Sequence, residues 1–384
     1  MPSSLSSTSH FGEESIHLLT AALDKGNHQR VLLVTGQNSF AASGMEEILA
    51  PCLEGREVIR IKDFQTNPAK ADVLRLINEL ADTSYSVIIA VGGGSAMDVA
   101  KLIKGFGKSP DLLDQVLYEG ATPEPVEIDL YAIPTTAGSG SESTHFAVVY
   151  DGKLKFSVAH PALLPTASWV VSSVLGSASQ QVAGAAAMDA FSQAVESFWC
   201  IHSTDESKQY AVEAITLLWA NMEAAILENN ATAWQHLAHA SHLAGKAINI
   251  SKTTAPHAIS YALTAYYGVK HGHGAGLMVP AIWQYNAQVT DDDVQDPRGA
   301  AYVREIMNTL NSLLGYENSA DAAKAVLNKI SSIGLSNSLS ELGVKTQEDI
   351  EIVIKNGFNP QRVINNPRCL TEEALREMLQ TMVS

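Results

Sequence analysis

The sequence predicts an α/β domain over residues 1–175 and an all-α domain over residues 176–384, and three observations predict it. Short continuous runs of valine, isoleucine and leucine alternate with helical stretches in the first half. Two of those runs end in glycine-rich turns. Beyond residue 175 the β-branched runs stop, alanine and leucine rise, and the helical stretches lengthen.

In chain order the runs are residues 30–35, 57–61, 86–91 and 130–134. Continuous apolar runs of this length suit strands covered on both faces, as in a parallel sheet. Their alternation with helices reads as βαβ units in an open sheet. Residues 145–150 and 153–158 flank Asp151-Gly152, a pair that supplies the positive φ angles of a tight hairpin. Residues 178–200 and 207–228 carry helical periodicity and open the helical domain. The cleft between two such domains is the expected place for a ligand.

At 46% hydrophobic and 17% charged, the 384 residues can bury a sizeable core, which excludes a disordered, collagenous or coiled-coil chain. Lys plus Arg total 25 against 41 Asp plus Glu, a net charge of -16. That balance disfavours nucleic acid and anionic membranes as partners, yet leaves room for a small anion held by local cations. Three scattered cysteines, Cys52, Cys200 and Cys369, make no disulfide framework, so a reducing compartment is expected. No apolar run reaches the roughly 20 residues of a bilayer span. The first residues show no basic start followed by an apolar stretch, and the expected location is the cytoplasm.

Gly92-Gly93-Gly94-Ser95 lies between an expected strand and an expected helix. Glycines there let backbone N–H groups approach a phosphate, and the helix N-terminus adds a favourable partial charge. The pattern is not the GxGxxG fingerprint, and an ordinary tight turn is its alternative. A second turn, Thr135-Thr136-Ala137-Gly138-Ser139-Gly140-Ser141, offers hydroxyls and glycines suited to pyrophosphate and ribose oxygens. Two such turns after two strands of one sheet point to a nucleotide. In the helical half, Asp189 and Gln193 stand four apart and share a helix face. His257 follows, then His271 fourteen residues later, then His273. One carboxylate and two imidazoles suffice for an open divalent-metal site, which is what a Lewis acid needs. By spacing alone, surface or core histidines are the ordinary alternative.

Together and in this order, these motifs resemble the iron-containing (group III) alcohol dehydrogenases, from about Val31 to Asn366-Pro367-Arg368. The resemblance implies the dehydroquinate synthase-like architecture, with a nucleotide-binding α/β domain and a helical metal-binding domain. It implies NAD(P)-linked interconversion of an alcohol and a carbonyl, a homodimer, and a divalent metal, Fe²⁺ ahead of Zn²⁺. Carried over residue by residue, it implies Asp189, His257 and His271 as metal ligands. Gly93, Gly94, Ser95 and Asp98 match the pyrophosphate-side turn. Thr135, Thr136 and Ser139 match the second cofactor loop, and Lys155 sits where a family lysine approaches the nicotinamide ribose. Gln193 is the departure, because many members carry histidine there. A neutral amide is a weaker ligand than imidazole. It can still serve through its carbonyl oxygen or as a hydrogen-bonding group beside the ligands.

Within the family, residues 251–261 and His271-Gly272-His273-Gly274 look most like the phosphonoacetaldehyde reductases. That branch implies reduction of a small anionic aldehyde to a primary alcohol, phosphonoacetaldehyde to 2-hydroxyethylphosphonate. A phosphonate needs local cations or convergent donors. Lys252, His145 and His273 are the candidates for it, with Lys155 near the same cleft. His273 or Tyr261 is the candidate proton donor, and Arg368 is expected to anchor the C-terminal segment. An acidic residue after an early strand commonly binds the ribose 2′-OH and repels a 2′-phosphate. Here Gly36 stands where family members often carry aspartate, with Asn38 and Ser39 beyond it, so NADPH is expected to be accepted beside NADH. The alternatives are a general short-chain alcohol or polyol dehydrogenase, a dehydroquinate synthase-like lyase, and a non-catalytic nucleotide-binding relative prompted by Gln193.

Overall fold

The computed structural model describes residues 7–383. The chain divides into two compact units, one ending at Ala178 and the next beginning at Ser179, three residues past the expected boundary.

The first unit holds strands β1 (Thr8–Phe11), β2 (Arg30–Thr35), β3 (Glu57–Ile61), β4 (Val87–Gly92), β5 (Asp129–Pro134), β6 (Phe146–Asp151), β7 (Leu154–Ala159) and β8 (Ala167–Val170). Six of them form one sheet in the order β1-β8-β5-β4-β2-β3, with every pair parallel. The four expected runs are β2 to β5. Val31–Val34 and Val87–Val91 are buried throughout, as strands covered on both faces must be. The strands β1 and β8 carry no comparable run. Thr-Ser-His-Phe at β1 has one large apolar residue and lies at the sheet edge, and β8 is four residues long with Ser168 inside it. The expected hairpin is the separate antiparallel pair β6–β7, turning at Gly152 with φ +59. From β2 the chain crosses to β3, but from β4 it crosses to β5 on the other side. The carboxyl ends of β2 and β4 therefore mark the point where the winding reverses, the place where open α/β sheets bind ligands. Helix α1 (Gly94–Phe106) follows β4 and buries Met97, Val99, Ala100, Ile103 and Phe106 in the core under the sheet.

The second unit is helical. Its first five helices are α2 (Gln180–Trp199), α3 (Asp205–Glu228), α4 (Ala231–Ser251), α5 (Ala255–Tyr267) and α6 (His271–Ala287). The expectation that no stretch is long and apolar enough to cross a bilayer is corrected by α3, which meets that measure by length and composition. Its buried residues Ala211, Ala214, Ile215, Leu218, Met222 and Ala225 recur every three to four positions and pack on α2 and α4. That is the pattern of an amphipathic core helix. Trp199 and Trp283 meet edge to face with centroids 5.9 Å apart, and each buried indole N–H has an acceptor, Thr254 Oγ1 and Asn311 Oδ1. Arg368 anchors the C-terminal segment, as expected: it bonds Asp293 at 2.8 Å and the Tyr285 carbonyl at 2.7 Å, and lies over the Tyr285 ring.

Candidate active site

In the first unit β4 and β5 pair with Gly92 opposite Pro134, so the turns after them meet. The Thr135 N–H donates to the Gly92 carbonyl at 3.0 Å. A Cβ at Gly93 would lie 3.2 Å from Thr136 Oγ1, and one at Gly94 would lie 3.2 Å from Ser139 Oγ. These glycines are what allows the second loop to close on the first. Gly92 has φ +153, and a Cβ there would come within 2.8 Å of the Ala96 Cβ and 3.6 Å of the Gly36 nitrogen. Gly36 thus lies beside the glycine turn, with exposed Asn38 and Ser39 next to it. The thirteen-residue helix α1 starts at this spot, with Gly93 as its N-cap. Backbone N–H groups without side-chain cover at a helix N-terminus suit a phosphate.

The remaining residues of this half are placed less simply. The Ser95 hydroxyl accepts the Asn67 N–H at 3.1 Å. Asp98, implied at the pyrophosphate turn, sits a turn into α1 and accepts hydrogen bonds from the Val148 N–H and Ser141. Burial raises its carboxyl to about 6, against the opposing charges of Lys101 and Lys155. Lys101 is fully buried and donates to the Ser141 carbonyl (2.6 Å), Ser141 Oγ (3.0 Å), Thr144 Oγ1 (3.1 Å) and the Phe146 carbonyl (2.9 Å). Burial lowers its amine to about 8, while Asp98 and Glu142 favour the charge. This pair fastens the second loop and the hairpin to α1. Lys155 is half-buried on β7, opposite Tyr150. His145 stands just before β6 with its ring edge-on to Phe146.

In the second unit Asp189 of α2, His257 of α5 and His271 of α6 meet. One donor atom from each lies within 4.8 Å of the others. Asp189 and His257 are buried, and His257 Nε2 stands 3.2 Å from Asp189 Oδ1. The rings of His257 and His271 are 5.3 Å apart, and Tyr261 stacks on His271. The run His-Gly-His-Gly-Ala-Gly explains the convergence. A Cβ at Gly272 would overlap the Ala185 carbonyl oxygen, and one at Gly276 would lie 2.7 Å from Met188 Cε, so only glycine lets α6 press on α2 beside Asp189. Gly274 in turn faces Ser260 and Leu263 of α5. Gln193 is buried one turn beyond Asp189 on α2.

Each imidazole is held by its other nitrogen. His257 Nδ1 bonds Glu196 Oε1, and His271 Nδ1 lies 3.1 Å from Ser260 Oγ. Burial disfavours a charged His257, but the carboxylates of Glu196 and Asp189 outweigh it and lift the imidazole to about 10. The site therefore draws positive charge to His257 Nε2, which is how a buried set of anionic and imidazole donors fits a divalent cation. The sequence motifs do not single out Glu196. Its signal was a glutamate two turns after Asp189 on one helix face, in a stretch otherwise apolar.

Two predicted residues are placed differently from one another. His273 is buried, and its Nε2 lies 2.6 Å from the Ser336 carbonyl, which makes that nitrogen the donor and ties α6 to the following segment. Burial also lowers its pKa. The expected substrate or proton-donor role therefore has no support at Nε2. Lys252 is exposed and closes α4 with φ +71 and ψ 175, a conformation nearly reserved for glycine. Its carbonyl accepts from Ser251 Oγ, which also bonds Ser197 Oγ at 2.7 Å.

Nucleotide-linked oxidoreduction is the class of chemistry that this fold and this donor set define. Comparison with known proteins narrows it. The family described as iron-containing alcohol dehydrogenase matches residues 6–171, and its C-terminal part, described as Fe-containing alcohol dehydrogenase family, matches residues 183–383. The chain belongs to the iron-containing alcohol dehydrogenase family, and it is an enzyme of the alcohol dehydrogenase and aldehyde reductase type. It is 32% identical to the phosphonoacetaldehyde reductase of Streptomyces viridochromogenes over 83% of this chain and 81% of that one. It is 26% identical to the NAD-dependent methanol dehydrogenase of Bacillus methanolicus over 92% of each. Among solved structures, the sulfoacetaldehyde reductase of Bifidobacterium kashiwanohense in complex with NAD⁺ superposes with a TM-score of 0.87 at 26% identity, covering 98% of this chain and 97% of that one.

Proposed function

We propose that this enzyme reduces a small anionic aldehyde, phosphonoacetaldehyde, to its primary alcohol with NADPH or NADH. The observation that carries the chemistry is the buried convergence of Asp189, His257 and His271 on one point. These residues would hold Fe²⁺ or Zn²⁺, with Gln193 beside them as a weaker oxygen donor or a hydrogen-bonding group. Such an ion, when bound, supplies Lewis-acid polarisation of a carbonyl oxygen. The chain's own residues do the rest. Glycines 92–94 and the Thr135–Thr136–Ser139 loop seat the cofactor phosphates and ribose. Gly36 places no carboxylate where a 2′-phosphate would lie, which supports acceptance of NADPH. A reduced nicotinamide held by these loops would supply the hydride, and the product oxygen would be protonated by water or a side chain.

The anionic substrate is supported by two relatives whose names specify aldehydes bearing a phosphonate or a sulfonate. It is supported also by Lys252. A lysine held in a glycine-type conformation costs about 1–3 kcal/mol, and strain of that kind clusters at functional sites. This lysine leads through Thr253 and Thr254 straight into α5, which carries His257 in its first turn. The test is consumption of NADPH by protein of measured metal content, with phosphonoacetaldehyde beside acetaldehyde and propionaldehyde. Lys252→Ala should raise KM for the phosphonate roughly tenfold, the size of one lost charge-assisted hydrogen bond. KM for acetaldehyde should not move. If plain aldehydes react as well as the phosphonate, the enzyme is a general short-chain alcohol dehydrogenase.

A further inference from the structure

Glu196 has a side chain with no exposure at all, deep on α2. Carboxylates are rarely buried so completely unless every lone pair is used. Here the two oxygens are used for different purposes. Oε2 accepts the Thr254 N–H at 2.7 Å, the Thr254 hydroxyl at 3.0 Å and the His257 N–H at 3.4 Å. It thereby caps the N-terminus of α5, where backbone donors lack intrahelical partners. Oε1 bonds His257 Nδ1. Capping needs only the first oxygen. The second fixes the imidazole, because a carboxylate can only accept: Nδ1 keeps its hydrogen, and Nε2, 3.2 Å from Asp189 Oδ1, is the nitrogen that would give up its proton to bind an ion. That nitrogen faces the point shared with Asp189 and His271.

We propose that Glu196 is the positioning residue of the metal site, setting the tautomer of His257 and, through the same carboxylate, the placement of the helix that carries it. The proposal rests on the metal reading given above. Trp199 completes the arrangement by donating to Thr254 Oγ1 at 2.9 Å, so the capping hydroxyl is left to donate to Glu196. Groups of this kind behind a metal-binding histidine typically tune affinity by 10–100-fold.

The test is Glu196→Gln. An amide has one acceptor oxygen. Three donors at the helix N-terminus outvote one at His257, so that oxygen takes the Oε2 position and the NH₂ faces Nδ1. His257 must then accept at Nδ1 and carry its hydrogen on Nε2, where a ligand needs its lone pair. Metal-free wild type and E196Q are titrated with Co²⁺ and Zn²⁺ against a competing chelator, and melting of the metal-free proteins is recorded alongside. The expected result is one ion per wild-type chain, affinity about 10–100-fold weaker in E196Q, and metal-free melting temperatures within a few degrees of each other. Equal affinities in the two proteins overturn the role of Glu196 and leave the metal reading standing. A wild type that takes up no ion overturns the metal reading and this proposal with it. A folding defect in E196Q does not shield the proposal, because Zn²⁺-loaded wild type with ¹⁵N-labelled histidine reports the tautomer directly. Hydrogen on Nδ1 and zinc on Nε2 of His257 are expected, and zinc on Nδ1 overturns it.

Discussion

The proposed acceptance of NADPH turns on a single residue, Gly36. Gly36 follows β2 at the point where the sheet reverses its winding, and a Cβ there would meet only the hydroxyl of Ser39, which can rotate away. Gly36→Asp should therefore fold, and should bring a carboxylate against a 2′-phosphate. Like charges set face to face cost several kcal/mol, so KM for NADPH should rise at least about tenfold more than KM for NADH. Steady-state kinetics with both cofactors check it, and equal changes would remove Gly36 from the ribose site. Single residues of the site are unevenly legible in the sequence. Asp189, His257 and His271 stand out as polar residues in apolar or glycine-rich stretches, and they converge. Asp98 and Glu196 show why the rest was hidden. Their hydrogen-bond partners, Val148 and Ser141 in one case and the α5 N-terminus in the other, lie far along the chain and are brought to them by folding. Whether a carboxylate faces a ligand or a backbone N–H is not written in its neighbours along the chain.

Elements bring those residues together. Strands β2, β4 and β5 were legible because covered strands need unbroken apolar runs; β3 lies at the other edge with no buried residue and shows only a short Val-Ile-Arg-Ile run, while edge strand β1 and four-residue β8 carry none. The glycines of α6 were read for the histidines between them; their own task is to let α6 lie on α2 and α5. Support for α5 comes also from the helix Gln347–Gly357, whose Gly357 would place a Cβ only 3.0 Å from the Ile259 Cα. That helix starts in a capping box formed by Thr346 at the N-cap and Asp349 at N3, which accepts from the Lys345 and Thr346 N–H groups, the Thr346 hydroxyl and the Tyr267 hydroxyl at the end of α5. Those bonds, the Lys345 N–H foremost, hold its carboxyl at about 2, below the ordinary 3.8. The folded state therefore gains from the ionised form above pH 3.8 and loses that gain as pH falls towards 2. Thermal melting should show Asp349→Asn less stable than wild type at neutral pH, with a smaller further loss between pH 4 and pH 2. Parallel losses in that window would mean that Asp349 is not the titrating cap.

Taken whole, the molecule assigns its two tasks to two units with different internal logic. The α/β unit offers backbone N–H groups at strand ends, where glycine excludes side chains. The helical unit offers side-chain donors in a core that closes tightly around them. The order of motifs along the chain made both units legible, and family membership follows from nearly the full length. The substrate is the finer matter, since it turns on Lys252 and on contacts that no periodicity encodes. On the proposed reading, Asp189, His257 and His271 hold one divalent ion on which aldehyde reduction depends. It is tested most directly by metal analysis of purified wild type, Asp189→Asn and His271→Ala, each assayed for NADPH oxidation with phosphonoacetaldehyde. One equivalent of ion per wild-type chain is predicted, with its loss in both variants and a fall in turnover of at least about 100-fold. Variants that keep a full equivalent of ion and wild-type turnover would contradict it.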